Sequence, residues 1–159
     1  MRMKKAGMTF GVLTALVVLI FNEGSADPIA TSVALDSGHC AGCTRNAEDS
    51  LLTFVVRTDA DFDSLRANCF LERSKEDLLP PKPTIEKVLL YVSLKGGGCE
   101  GCLDIVSVYE TPENIAVEVA GGFRGNCDML MIRGAWALIP RTDKRIVFRF
   151  QQVSCSDKP

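Results

Sequence analysis

Histidine occurs once in the 159 residues, at His39, and tryptophan once, at Trp136; tyrosine occurs only twice. A Ser-His-Asp relay would have to be built around His39, a lone histidine beside Cys40 in a loop-like stretch, which reads better as a solvated loop residue. Positive charge is in no surplus either. Lys and Arg number 18 against 20 Asp and Glu, a net charge of −2, and outside the first 26 residues the balance is 15 against 19. Nucleic acid is therefore not an expected partner, because nothing is left over to neutralise phosphates. No Gly-Lys-Ser/Thr follows Gly96-Gly97-Gly98, so these glycines are not a phosphate cradle. Asp59, Asp61 and Asp63 resemble the start of a calcium loop but lack its glycine and distal glutamate. What remains is a composition 47% apolar and 24% charged, that of a single globular domain.

The beginning of the chain reads as an address. Arg2, Lys4 and Lys5 precede an apolar stretch from Ala6 to Phe21, and Gly24-Ser25-Ala26 supplies small residues for cleavage. Basic, apolar and small-residue parts in that order predict a secretory signal over residues 1–26, with the mature chain starting at Asp27. The competing reading is a permanent membrane anchor. The stretch is broken by Gly7, Thr9, Gly11 and Thr14 and falls short of the roughly 20 residues a stable span needs. No cysteine lies near the junction, so no lipid-attached amino terminus is expected. The expectation is a periplasmic or extracellular protein without a stable membrane anchor.

In such a compartment the cysteines read first as disulfide candidates. There are seven: Cys40, Cys43, Cys69, Cys99, Cys102, Cys127 and Cys155. An odd count leaves at least one free, paired with another chain or bound to something. Cys40/Cys43 and Cys99/Cys102 have the C-x-x-C spacing that suits a zinc site, but 55 residues separate the two pairs, far more than in compact zinc ribbons.

Residues 27–50 are small, polar and without period, and predict an irregular cysteine-containing arm; residues 51–159 predict one domain. Leu51 to Arg57 is β-branched and apolar, a strand. Thr58 caps a short helix in which Phe62, Leu65 and Cys69 share one face. Phe70 to Glu86 is a connector with a charged run and the stiff Pro80-Pro81-Lys82-Pro83, which reads as a spacer in preference to a docking ligand. Five further strands follow: Lys87 to Leu94, apolar on both faces and so central; Leu103 to Glu110; Ile115 to Val119; Met129 to Ile139, with Leu130, Ile132, Trp136 and Leu138 on one side and a bulge at Gly134; and Ile146 to Gln151. Gly121 to Asn126 reads as a loop. The fold class is α+β: an antiparallel β-meander of about six strands, as a sheet or open barrel, with one covering helix.

Loops of an up-and-down run alternate between its two ends, which predicts that Cys99, Cys102, Cys127 and Cys155 share one end. Structural disulfides are the plain reading of that cluster. A thiolate site for zinc or copper(I), formed by Cys99, Cys102, Cys127 and Cys155 with His39 or Cys40/Cys43 as further candidates, is the alternative. A redox-active pair is disfavoured, since neither C-x-x-C pair sits at a helix amino terminus that would lower a thiol pKa. Phe123 and Arg124 lie in the loop beside the cluster and are candidates for a binding surface.

The stretch from Val55 to Phe150 resembles the PrcB-type protease-complex subunit family. The resemblance is carried by the strand and helix of Val56-Arg57-Thr58-Asp59-Ala60-Asp61-Phe62-Asp63-Ser64-Leu65, by the strand Val88 to Leu94 with its glycine-rich turn, and by Ile105-Val106-Ser107-Val108 and Ile115-Ala116-Val117-Glu118-Val119. Its most specific segment runs from Trp136-Ala137-Leu138-Ile139-Pro140 to Ile146-Val147-Phe148. The resemblance implies a non-catalytic accessory or binding domain that partners an exported protease complex. It brings no catalytic residues and no cofactor. The chain departs from the family in its seven cysteines and in having no lipid-attachment cysteine.

Overall fold

Lys87 to Leu94 is apolar on both faces, and the fold uses both. In the computed structural model, which describes residues 31–33, 35–44, 51–70 and 78–155, Val88, Leu90, Val92 and Leu94 face one buried cluster while Leu89 and Tyr91 face another. A strand buried on both sides must lie inside a layered structure. The elements in chain order are β1 (Thr31–Ser32), β2 (Asp36–Cys40), β3 (Leu51–Val56), α1 (Asp59–Cys69), β4 (Lys87–Gly97), β5 (Glu100–Glu110), β6 (Asn114–Arg124), β7 (Leu130–Pro140) and β8 (Arg145–Gln152).

They form two four-stranded sheets, ordered β1-β5-β6-β8 and β2-β7-β4-β3. The main core lies between the sheets, where β4 and β7 (Ala135, Ala137, Ile139) meet β5 (Leu103, Ile105, Val108) and β6 (Ile115, Val117, Val119). The second cluster lies on the far face of the β4-containing sheet, under α1, with Phe62, Leu65 and Cys69 packed towards Leu89, Tyr91 and Leu138. Among the described residues the α+β class with one covering helix is therefore observed, with eight strands in place of about six.

The strand pairing differs from a meander. β4 pairs with β3 and β7, not with β5, and β6 pairs with β8 in parallel. The up-and-down direction of the chain is nevertheless kept from β4 to β8, so strands two apart run the same way and can lie side by side. Splitting into two sheets buries both the odd and the even residues of β4, which a single sheet with one helix would have left half-covered.

Three local expectations are corrected. The arm contains β1 and β2, and β2 pairs with β7 from Asp36 opposite Leu138 to Cys40 opposite Gly134. A polar segment can form an edge strand when backbone pairing, not side-chain burial, holds it. Gly38 lies against the indole of Trp136, where a Cβ would come 2.9 Å from Cζ2. Next, β7 has no bulge at Gly134: its register with β4 is unbroken from Lys87 opposite Pro140 to Gly97 opposite Leu130. Gly134 instead admits the backbone of Ala41, whose carbonyl oxygen occupies the space a side chain would need. The register shift lies in β5, between Ile105 and Ser107, where Val106 is extra and 62% exposed. Finally, Gly121 to Arg124 belong to β6, and the loop begins at Gly125, whose φ of 87° favours glycine.

The helix follows its expected signals. Thr58 Oγ1 accepts from Asp61 N at 3.1 Å and Thr58 N donates to Asp61 Oδ2 at 3.0 Å, a reciprocal cap. Hydrogen bonds to its carboxylate, from the Thr58 side chain first and then from Arg57 N, hold the Asp61 carboxyl below its ordinary range. The predicted signal, 1–26, and the charged run from Glu72 to Asp77 lie outside the described residues.

Candidate functional site

The six paired cysteines form Cys43–Cys69, Cys99–Cys127 and Cys102–Cys155, and Cys40 is free. Neither C-x-x-C motif is closed on itself. Cys99 and Cys102 go to different partners, and of the Cys40/Cys43 pair only Cys43 is bonded, because each motif lies in or beside an extended segment. Three disulfides fit an oxidising, non-cytoplasmic compartment. Among the described residues no helix is long and apolar enough to cross a membrane.

Cys43–Cys69 fastens the segment after β2 to the last residue of α1. Around it Cys43 N donates to Ser93 Oγ at 2.8 Å, Thr44 N donates to the Cys69 carbonyl at 2.9 Å, and Tyr91 Oη donates to the Ala41 carbonyl at 3.0 Å. The Tyr91 hydroxyl is pushed up by burial, then by the nearby Cys40 sulfur. Cys40 packs against this same cluster, and burial pushes its thiol up to about 12. At neutral pH it stays protonated.

The other two disulfides share one end of the sandwich. Cys99 lies in the two-residue connection from β4 to β5, Cys127 in the β6–β7 loop, Cys102 inside β5, and Cys155 just beyond β8. Strand direction brings them together, although the pairing is not that of a meander. The set Cys99, Cys102, Cys127 and Cys155, weighed above as zinc or copper ligands, is committed to two disulfides, and a disulfide sulfur offers no thiolate to a metal. Among the described residues no group of three or more His, Cys, Asp or Glu is placed to hold a metal ion.

Phe123 and Arg124 are at this pole, on β6, with different orientations. The Phe123 ring turns inward, half-buried between Gly96 and Gly101; a Cβ at Gly101 would come 2.8 Å from Phe123 Cδ1. It plugs the end of the core. Arg124 is exposed, and its carbonyl accepts from Cys99 N at 2.8 Å. The pole also carries two exposed apolar residues that sequence reasoning did not single out, Met129 at 58% and Leu130 at 63% exposure. Gly98 N donates to the Met129 carbonyl at 3.1 Å, which ties that loop to the glycine-rich turn. Alternation groups Leu130 with Trp136, but β7 carries Leu130 past the residues that pack in the cluster under α1.

A cleft of about 410 Å³ opens beside the pole, between β2, β5 and β7, with His39, Glu100, Asp104, Arg133 and Cys155 on its walls. His39 Nε2 lies 2.7 Å from Asp104 Oδ1, so the single histidine bridges the two sheets. Cys40 also borders the cleft; as successive residues of β2 the two side chains alternate, His39 toward Asp104 and Cys40 toward the cluster under α1.

No family model, no curated protein and no solved structure matches this chain.

Proposed function

We propose that the protein is an exported, disulfide-stabilised, non-catalytic binding or accessory domain, and that its contact face is the disulfide pole. The observation that carries this reading is the exposure of Met129 and Leu130 where the loop cross-linked by Cys99–Cys127 runs into β7. Apolar side chains presented by a stiffened loop lose little conformational freedom on association, so more of their burial appears as affinity. Exposed Arg124 beside them adds a polar rim. Burial of the one free thiol supports the non-catalytic part. The partner in this reading is a component of an exported protease complex, which rests on the resemblance running from Val55 to Phe150. A periplasmic and an extracellular setting both suit the disulfides.

Cross-linking in the native envelope or culture medium, followed by mass spectrometry, tests it. A protease-complex component cross-linked through the pole, and lost from the Met129→Asp/Leu130→Asp variant, is the expected result. A protein that stays uncross-linked at every pole position overturns the reading.

A further inference from the structure

The cleft between β2, β5 and β7 holds two opposite charges that nothing around them answers. β5 brings Glu100 to one wall and β7 brings Arg133 to another. The stem of Arg133 lies along Gly101, with Cγ 3.4 Å from where a Cβ would stand. Both residues are exposed, and among the described residues neither side chain makes an ion pair or hydrogen bond, with the other or with any third group. The second charged pair of the cleft is engaged, since His39 Nε2 sits 2.7 Å from Asp104 Oδ1.

An unpaired guanidinium and an unpaired carboxylate in one concavity are complementary to a ligand that carries both signs. A simple anion would be drawn to Arg133 and repelled by Glu100, and a simple amine would meet the reverse. The cleft volume of about 410 Å³ lies in the range of small-molecule sites. Leu103 and the Cys102–Cys155 disulfide give its lining an apolar part, which suits a ligand with a carbon body between its charged ends.

The backbone narrows the class further. β1 covers the outer edge of β5 only at Tyr109 and Glu110, with Val33 N donating to the Val108 carbonyl. From Glu100 to Ser107 that edge pairs with no strand among the described residues. Open backbone donors and acceptors of a strand edge are the partners an amide group takes.

We propose that this cleft binds a short peptide with free ends, of about dipeptide size, its carboxylate on Arg133 and its ammonium on Glu100. The peptide's amide lies along the open edge of β5. Neither Met129 nor Leu130 lines the cleft, so the assignment stands apart from the pole reading.

An amide NMR titration of the full, oxidised protein with alanyl-alanine tests it, beside the N-acetylated and the C-amidated forms of the same dipeptide. The expected result is saturable shifts at Gly101, Leu103 and Gly134, with each capped form binding about tenfold more weakly, as loss of a charged hydrogen bond implies. Arg133→Gln should then bind the free and the amidated dipeptide alike, and Glu100→Gln the free and the acetylated one alike. Both side chains are exposed and unpaired, so the variants keep the fold, which the remaining amide signals check. No saturable shift at the cleft, capped forms that bind the parent as well as the free dipeptide, or variants that still discriminate would each overturn the proposal. Met129→Asp/Leu130→Asp should keep the titration, and its loss there would count against this site, not against the pole.

Discussion

Cys102 and Cys155 are bonded across 53 residues of sequence, tying the start of β5 to the segment that leaves β8. The bond closes the largest of the three disulfide loops; Cys43–Cys69 spans 26 and Cys99–Cys127 spans 28. In the chain-entropy picture a loop of that largest size contributes about 4 kcal/mol and the shorter ones about 3.5 kcal/mol each. Cys102→Ser/Cys155→Ser should therefore lower the midpoint of chemical denaturation at least as far as either other double replacement. Its denaturant slope should also rise, because the unfolded chain becomes more extended. A midpoint unchanged within error would contradict this.

Glycine replacements separate close approach from turn propensity. At Gly134 a side chain would meet the Ala41 carbonyl, a backbone atom with β2 attached to it, so relief requires moving the edge strand. Overpacking of this kind costs about 1–3 kcal/mol. Nothing lies within 4 Å of a Cβ at Gly97. Gly134→Ala should destabilise by that amount, and Gly97→Ala should stay within about 0.5 kcal/mol of the parent, as surface changes usually do. Thermal denaturation of the two variants under identical conditions checks the contrast.

The same glycines mark what was legible in the sequence and what was not. Elements built from local signals were readable: Thr58 and its acids started α1, and the doubly apolar run announced β4 as an inner strand. Chain direction was readable too, which is why the sulfurs of Cys99, Cys127, Cys102 and Cys155 were expected at one end. Pairing was not. Whether β4 lies beside β5 or β7 depends on contacts between residues far apart in sequence, and alternation is the same in both cases. β2 was missed because Asp36–Cys40 carries almost no apolar side chain; it is held by backbone bonds to β7 and by the flat contact of Gly38 with Trp136. At the pole, an apolar residue at alternating spacing predicts burial, and nothing local says that Leu130 lies beyond the layer that would cover it.

Helix initiation should respond to acid. Asp61 is held below its ordinary carboxylate range by its bonds at the Thr58 cap, so the folded state binds its proton less readily than the unfolded state. Its contribution is complete above the unfolded pKa and is lost as pH falls through the lower, folded value. Asp61→Asn should flatten the acid side of the stability profile by lowering stability near neutrality, the variant and the parent converging in acid. Thr58→Ala, which removes the hydroxyl that accepts from Asp61 N, should cost about 1 kcal/mol at neutral pH. Helical circular dichroism followed from pH 6 down to pH 2 in both variants reads these effects.

Thiol chemistry offers a direct count. With three disulfides formed and Cys40 free, the denatured, unreduced protein should take up one equivalent of a thiol reagent per chain. The folded protein at pH 7 should react very slowly, because a thiol pKa pushed to about 12 leaves roughly one part in 10⁵ as thiolate. Reaction should accelerate with rising pH until unfolding overtakes it. Rapid labelling of the native protein at neutral pH would place Cys40 outside its cluster.

The bulge in β5 allows a test of register. Ile105 faces Val119 and Ser107 faces Glu118, so Val106 is the one residue of that strand without a partner on β6. Removing it joins two stretches already in register, keeps Leu103, Ile105 and Val108 directed into the core, and discards a side chain that is 62% exposed. Removing Ala116 from β6 instead deletes a fully buried residue and shifts one side of the strand by one position, so that either Ile115 or both Val117 and Val119 turn out of the core. The Val106 deletion should fold, form three disulfides by mass, and lose only a few degrees of thermal stability, since some local twist goes with the bulge. The Ala116 deletion should fail to accumulate as an oxidised, protease-resistant domain. If the two deletions behave alike, then β5 is not held to β6 by the register found here, and the placement of Cys102 opposite Gly122 falls with it.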